Sequence, residues 1–145
     1  DYNELISCFQ DTIKMSEDEL QDATLEAIDN TCVLKENIYE EVFENSNVKI
    51  KEKTEDADVF VEVNTTFATA KEYLQDGKAA VLNFANPIRP GGGVQNGAIA
   101  QEECLCRSSN LYCCLREEKV FEDYYYIIED GSLSEYRQIN LQQRY

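Results

Sequence analysis

One segment limits what this chain can fold into more than any other. Residues 85–97 read Ala85-Asn86-Pro87-Ile88-Arg89-Pro90-Gly91-Gly92-Gly93-Val94-Gln95-Asn96-Gly97, with both prolines and four of the six glycines of a 145-residue chain. Proline fixes φ and removes a backbone donor, and consecutive glycines weaken any regular element, so neither helix nor strand runs through this stretch. It is a constrained loop. The apolar run Ala79-Ala80-Val81-Leu82-Asn83-Phe84 before it predicts a buried strand, and Ala98 to Leu115 after it has helical character. Three glycines at the end of a strand let the backbone approach a ligand closely, adopt positive φ and present amide donors to anionic oxygens. Taken alone, the same glycines also serve a plain strand-to-helix turn.

The rest of the chain supplies a context for that loop. Leu5, Ile6, Phe9 and Ile13 recur at helical spacing and predict a short helix ending near Met15. Ser16 with Glu19 matches a capping box, and Leu20, Ala23, Ala27 and Ile28 then mark the apolar face of a second helix running to about Asn30. Val48 and Ile50 alternate with Lys49 and Lys51, and Val59, Val61 and Val63 alternate with Phe60 and Glu62, which predicts two strands. Asn64-Thr65-Thr66 offers an N-cap for a helix through Leu74 that ends at Asp76-Gly77. Strand, helix and strand make a βαβ unit, so the expected class is α/β, with a parallel or mixed sheet covered by helices and ligands at the strand C-termini. The aromatic-rich stretch Val120 to Ile128 is expected to be a strand or a loop leading into one. The chain reads as a single domain over 1–145, with an N-terminal helical element over 1–46 and the sheet-bearing part over 47–145.

Charge and side-chain inventory then narrow the chemistry. The formal net charge of −16 opposes non-specific attraction to nucleic acid or an anionic membrane surface, so no direct DNA binding and no membrane association are expected. Any anionic ligand must be held locally. No apolar run approaches the roughly 18 residues needed to span a bilayer, and no basic segment followed by an apolar one opens the chain. A cytoplasmic protein with reduced thiols is the expectation. The six cysteines are Cys8, Cys32, Cys104, Cys106, Cys113 and Cys114, and the last four cluster in a way that invites a zinc reading. C-x-x-C pairs are lacking and there is no histidine, so the competing reading, small helix residues of which some are buried, is preferred and no metal is expected. The absence of histidine also removes Ser-His and Cys-His nucleophile pairs and any imidazole base.

Carboxylates remain. Seven residues beyond the glycines stands Gln101-Glu102-Glu103, placed early in a helix beside the donor-rich loop. Cleaving an acetal requires a proton at the leaving oxygen and negative charge near an oxocarbenium-like centre, and two carboxyl groups supply both. Adjacent helical positions point about 100° apart, so the two acids divide the work, one toward sugar hydroxyls and one toward the proton. The bland alternative is two solvated acids in the first turn of a helix, where Asp and Glu are common.

Gly91-Gly92-Gly93 followed by Gln101-Glu102-Glu103 resembles the glycine-triplet and QEE motif of poly(ADP-ribose) glycohydrolases. The flanks Leu82-Asn83-Phe84-Ala85-Asn86, Asn96-Gly97-Ala98 and Arg107-Ser108-Ser109-Asn110-Leu111-Tyr112 are similar to the bacterial, microbial-type branch. The resemblance covers Val61 to Leu115, and more loosely the helix around Ala23-Thr24-Leu25. It implies a macrodomain-like fold and a hydrolase that cleaves ribose-ribose O-glycosidic bonds in poly(ADP-ribose), releasing ADP-ribose with no cofactor or metal. By the same resemblance Glu103 is the general acid. Glu102 and Asn86 bind hydroxyls of the ribose that loses its bond, and the backbone of Gly91, Gly92 and Gly93 positions that ribose and the diphosphate. Asn96 joins the substrate-binding set, and Gln101 orients the loop. Arg89 and Arg107 are candidates for local charge compensation outside the core site.

The family's later elements, a second glycine-rich phosphate loop and an adenine-stacking aromatic, are not recognisable after Leu115. An N-terminal portion of the enzyme, incomplete in its sheet, is therefore the expectation. Tyr124, Tyr125, Tyr126, Tyr136 and Tyr145 offer rings, but their spacing selects none. Two other functions stay open: a non-catalytic or vestigial ADP-ribose-binding domain, and an acidic helical module that binds a basic protein partner.

Overall fold

The structure is a computed structural model and describes residues 1–33, 58–74, 79–125, 128–129 and 132–133. Its described part is helical, and it divides into one unit of Asp1–Val33 with Asn83–Tyr145 and a second of Leu34–Leu82.

The larger unit begins with α1, Tyr2–Glu17, whose start is a capping box. The Asp1 carboxylate accepts from the Asn3 N–H at 2.7 Å, and Glu4 reaches back to the terminal ammonium at 3.1 Å. The apolar stripe of α1 does what its spacing predicts. Phe9 is buried in a core cluster with Val94 and Cys106, and Ile13 packs against it together with Leu111, Tyr112 and Leu115. The expected capping box at Ser16 and Glu19 does not form. Ser16 is buried inside α1 and its hydroxyl donates to the Thr12 carbonyl at 2.9 Å, so α1 runs two residues beyond Met15. The next helix, α2, Gln21–Asp29, starts from Leu20 with no side-chain cap. Its inward face is Thr24, Ala27 and Ile28 rather than Leu20 and Ala23, which are exposed.

After residues 83–100 come α4, Gln101–Arg107, α5, Leu111–Leu115, and α6, Glu118–Tyr124, numbered to leave α3 for the second unit. The helical stretch expected from Ala98 to Leu115 is thus broken in the middle. The cause is local: Ser108 Oγ donates to the Cys104 carbonyl at 2.5 Å and Ser109 Oγ to the Leu105 carbonyl at 2.9 Å, taking carbonyls the helix would otherwise use. The aromatic stretch after Val120, expected to be strand or loop, is mostly α6. Val120 is buried, and Lys119 Nζ donates to the Ile28 carbonyl at 2.8 Å, closing the end of α2. Here packing overrides the β preference of Val, Phe and Tyr.

The second unit holds α3, Thr66–Tyr73. Its N-cap is Thr65, whose hydroxyl accepts from the Ala68 N–H at 3.3 Å, as the sequence predicts. The Tyr73 ring stacks on Phe60 at 6.2 Å between centroids, and its hydroxyl donates to Glu62 at 2.7 Å.

The α/β macrodomain-like sheet is the expectation that the structure overturns. Among the described residues there is no parallel strand pair and no βαβ unit. The one strand pairing joins β1, Ile128–Glu129, to β2, Ser132–Leu133, antiparallel, with Ile128 opposite Leu133. Residues 58–62 and 79–86 form neither helix nor strand, and Val59, Val61, Val63, Leu82 and Phe84 are exposed. Alternation and apolar runs select an extended chain, whereas a sheet also needs a neighbour to bond with. The strand expected at Val48 to Lys51 and the helix stop at Asp76-Gly77 lie outside the described residues.

Candidate active site

The backbone donors that a ladder would use in residues 83–86 go instead to side chains of α4. The Phe84 N–H donates to Gln101 Oε1 at 2.9 Å and the Asn86 N–H to Glu102 Oε2 at 2.8 Å. The two donors stand two positions apart, so the first turn of α4 is docked along this segment by its own side chains. A third amide completes the set: the Gly93 N–H donates to Glu103 Oε1 at 3.0 Å. Asn83 adds a longer contact from Nδ2 to Glu102 Oε1 at 3.4 Å.

These bonds matter because the carboxylates are out of water. Glu102 is 2% exposed and Glu103 7%. Acidic side chains are rarely buried without partners, and hydrogen bonds from backbone N–H groups to a charged acceptor are among the stronger ones. Surface acids in a helix's first turn, the bland reading of Glu102 and Glu103, are therefore not what the structure shows. Both acids converge on one point of the loop. Gly92 has φ +56°, and a Cβ built on it would stand 2.5 Å from Glu103 Oε1 and 3.5 Å from Glu102 Oε2. Only a glycine accommodates both that backbone and that approach.

The other predicted residues fall around this centre. Gly91 begins a series of tight turns in which Val94 N–H bonds to the Gly91 carbonyl and Asn96 N–H to the Gly93 carbonyl. Val94–Asn96 form one 3₁₀ turn, closed by Gly97 in the left-handed region. Asn86 is in place through its backbone, while its side-chain Oδ1 accepts from the Ile88 and Arg89 N–H groups at 2.9 and 3.0 Å. Its Nδ2 has no partner among the described residues. Asn96 is exposed and bonds to neither carboxylate. Arg89 is exposed; Arg107 is buried, with Nη1 donating to the Ala98 carbonyl at 2.7 Å, which ties the end of the loop to α4.

Three residues at the site escaped sequence reasoning. Asn83, a polar residue inside an apolar run, carried a signal that went unused; its Oδ1 is buried with no hydrogen-bond partner. Tyr112 lies against Gly91. Tyr125 is fully buried with an unpartnered hydroxyl, and burial, reinforced by the negative charge of Glu102, pushes its phenol above the ordinary range. Nothing in the run Tyr124-Tyr125-Tyr126 distinguishes it beforehand. Cys106, Cys113 and Cys114 are buried and unpaired, while Cys8, Cys32 and Cys104 are exposed. Burial, then Glu102 and Glu103, push the Cys106 thiol up to about 12.

Among the described residues no group of three or more His, Cys, Asp or Glu side chains is placed to hold a metal ion, and no helix is long and apolar enough to cross a membrane. A cavity of about 440 Å³ lies apart from the acids, lined by Thr12, Met15, Leu20, Ala23, Ser108 and Asn110 among others.

A glycine loop that offers amides to two adjacent buried glutamates fits the class of hydrolases that work by carboxylate chemistry. The family model for microbial-type PARG, catalytic domain, where PARG stands for poly(ADP-ribose) glycohydrolase, matches residues 9–139, and the chain belongs to that family. The match contains the whole loop and both glutamates. No curated protein and no solved structure matches the chain. Family membership supports a glycosidase-type enzyme related to poly(ADP-ribose) glycohydrolases.

Proposed function

We propose that this chain hydrolyses ribose-ribose O-glycosidic bonds in poly(ADP-ribose) and releases ADP-ribose. The observation that carries the reading is the pair of buried acids, each hydrogen-bonded to a backbone amide of the preceding segment, Glu102 to Asn86 and Glu103 to Gly93. Family membership supports the substrate class. Glu103 is the general acid: Oε1 is fixed by the Gly93 N–H, and Oε2, with no partner among the described residues, carries the proton to the leaving oxygen. As that bond breaks, the neighbouring negative charge of Glu102 favours the oxocarbenium-like centre, and water adds at the anomeric carbon, returning a proton to Glu103. Glu102 and Asn86 hold the ribose hydroxyls, Gly91, Gly92 and Gly93 place the ribose and diphosphate, Gln101 keeps the segment in register, and Asn96 borders the substrate.

The test is ADP-ribose release from purified polymer, followed by chromatography, alongside calorimetric titration with ADP-ribose. Release that persists in a chelator and is lost in Glu103→Gln is expected. Binding without release would support a non-catalytic reader. Neither binding at millimolar ligand nor release would overturn the proposal and leave the acidic interaction module.

A further inference from the structure

The segment Arg107-Ser108-Ser109-Asn110-Leu111-Tyr112 has no part in the chemistry described above, yet its geometry leads back to the loop. The serine hydroxyls end α4, and Ser109 Oγ accepts from the Leu111 N–H at 3.2 Å, so α5 restarts with Tyr112 in its first turn. The Tyr112 ring then lies against Gly91, where a Cβ would meet Cδ2 at 2.8 Å and Cε2 at 3.2 Å. Its hydroxyl accepts from Gln95 Nε2 at 2.5 Å. Behind the ring, Phe9 of α1 packs edge to face at 5.0 Å between centroids, and the Arg116 guanidinium lies 5.9 Å from its centroid. Tyr112 therefore touches the residues on both sides of Gly92 and Gly93, the two glycines that approach Glu103.

The geometry points to Tyr112 as a positioning residue that holds the glycine loop at two points, Gly91 through the ring and Gln95 through the hydroxyl, and so fixes the Gly93 amide on Glu103. A short loop held at both ends cannot shift its middle without breaking one contact, and a displacement of an ångström at a reacting group is enough to lower turnover strongly. The catalytic consequence rests on the function proposed above; the mechanical claim does not.

Two variants separate them. Tyr112→Phe keeps the ring and removes the hydroxyl, and Gln95→Met removes the same bond from the exposed side, where folding is not at stake. Hydrogen exchange at the Gly93 amide, read by nuclear magnetic resonance, is expected to rise about threefold to tenfold in each, the loss of one ordinary hydrogen bond, with no further rise in the double variant. Exchange in α1 should stay as in the wild type, and the melting temperature should fall by no more than the few degrees that one hydrogen bond is worth. The catalytic rate on polymer should fall in parallel. Unchanged exchange at Gly93, additive effects in the double variant, or a rise spread equally over α1 and α5 would overturn the brace. Faster exchange at Gly93 in a chain whose wild type releases no ADP-ribose would support the brace and sink the proposed function.

Discussion

Gly92 and Glu103 share one small volume: a Cβ on the glycine would stand 2.5 Å from the Oε1 that the Gly93 amide holds. Gly92→Ala must also adopt φ +56°, a left-handed conformation that costs an ordinary residue about 1–2 kcal/mol. The carboxylate end is the softer partner, so the expected outcome is a folded protein with a displaced Glu103 and at least tenfold lower turnover. Melting curves beside polymer hydrolysis check this. Wild-type turnover in G92A would mean that the packing of this glycine on the acid is not needed for catalysis.

Glu103→Gln retains an oxygen that accepts from the Gly93 N–H, so loop and helix should keep their places. What disappears is the transferable proton. Turnover should fall by about 10² to 10⁴, the range for loss of a general acid, with ADP-ribose affinity within a few-fold of the parent. Single-turnover assays with matched titrations measure both, and undiminished turnover would remove Glu103 from the mechanism.

Glu102→Gln is a different perturbation. Both carboxylate oxygens of Glu102 accept, one from the Asn86 N–H and one from Asn83 Nδ2, and an amide replaces these bonds to a charged acceptor by bonds to a neutral side chain at a 2% exposed position. Hydrogen bonds to charged groups contribute about 1.5–3 kcal/mol, against about 0.5–1.5 for neutral ones. Glu102→Gln should therefore lower stability as well as ligand affinity, whereas Glu103→Gln lowers neither greatly. Equal melting temperatures and equal affinities for the two variants would leave their division of labour without support.

This contrast was only half legible in the sequence. The glycines and the two acids announce themselves through residue type and spacing, because a conformation that needs glycine and a reaction that needs carboxylates leave few substitutes. The helix start at Thr65 is similarly local. The sheet was misread because Val59, Val61 and Val63, or Ala79 to Phe84, record only a preference for extended backbone; pairing is decided by distant residues, and the Phe84 and Asn86 amides are taken by Gln101 and Glu102. The placements of Asn83, Tyr112 and Tyr125 depend on contacts across the fold that no local pattern encodes.

The cysteines should sort by environment rather than by their clustering. Burial raises the Cys113 thiol and, with Glu102 and Glu103 adding to it, raises Cys106 to about 12, so both remain neutral thiols at pH 8. Thiolate is the reactive form, and mass spectrometry after brief iodoacetamide treatment of folded protein should find Cys8, Cys32 and Cys104 modified and Cys106 and Cys113 spared. The sign of the linked stability follows. An unfolded Cys106 ionises near 9, so its buried neutral form contributes fully below that pH and the contribution is lost as pH rises from about 9 to about 12. Activity should survive Cys104→Ser with Cys106→Ser in a folded protein; its loss would give these thiols a part in the chemistry.

The remaining prediction concerns salt. Proteins that hold a polyanion through a basic surface lose affinity as ionic strength rises, because binding releases counterions. Here the formal net charge is −16, and among the described residues no basic side chain bonds to Glu102 or Glu103, whose partners are the uncharged Asn86 and Gly93 amides. Long-range repulsion between chain and polymer is screened within a Debye length of about 30 Å at 0.01 M salt and about 8 Å at 0.15 M, whereas contacts at hydrogen-bonding distance are almost untouched. Raising salt across that range should therefore lower KM for poly(ADP-ribose) severalfold and leave kcat nearly constant. A monomeric ADP-ribose ligand, with far less charge to repel, should show a smaller shift in the same direction. Initial rates at several polymer concentrations and three ionic strengths decide it, and a KM that climbs with salt would mean that a local basic surface, not the glycine loop, captures the polymer.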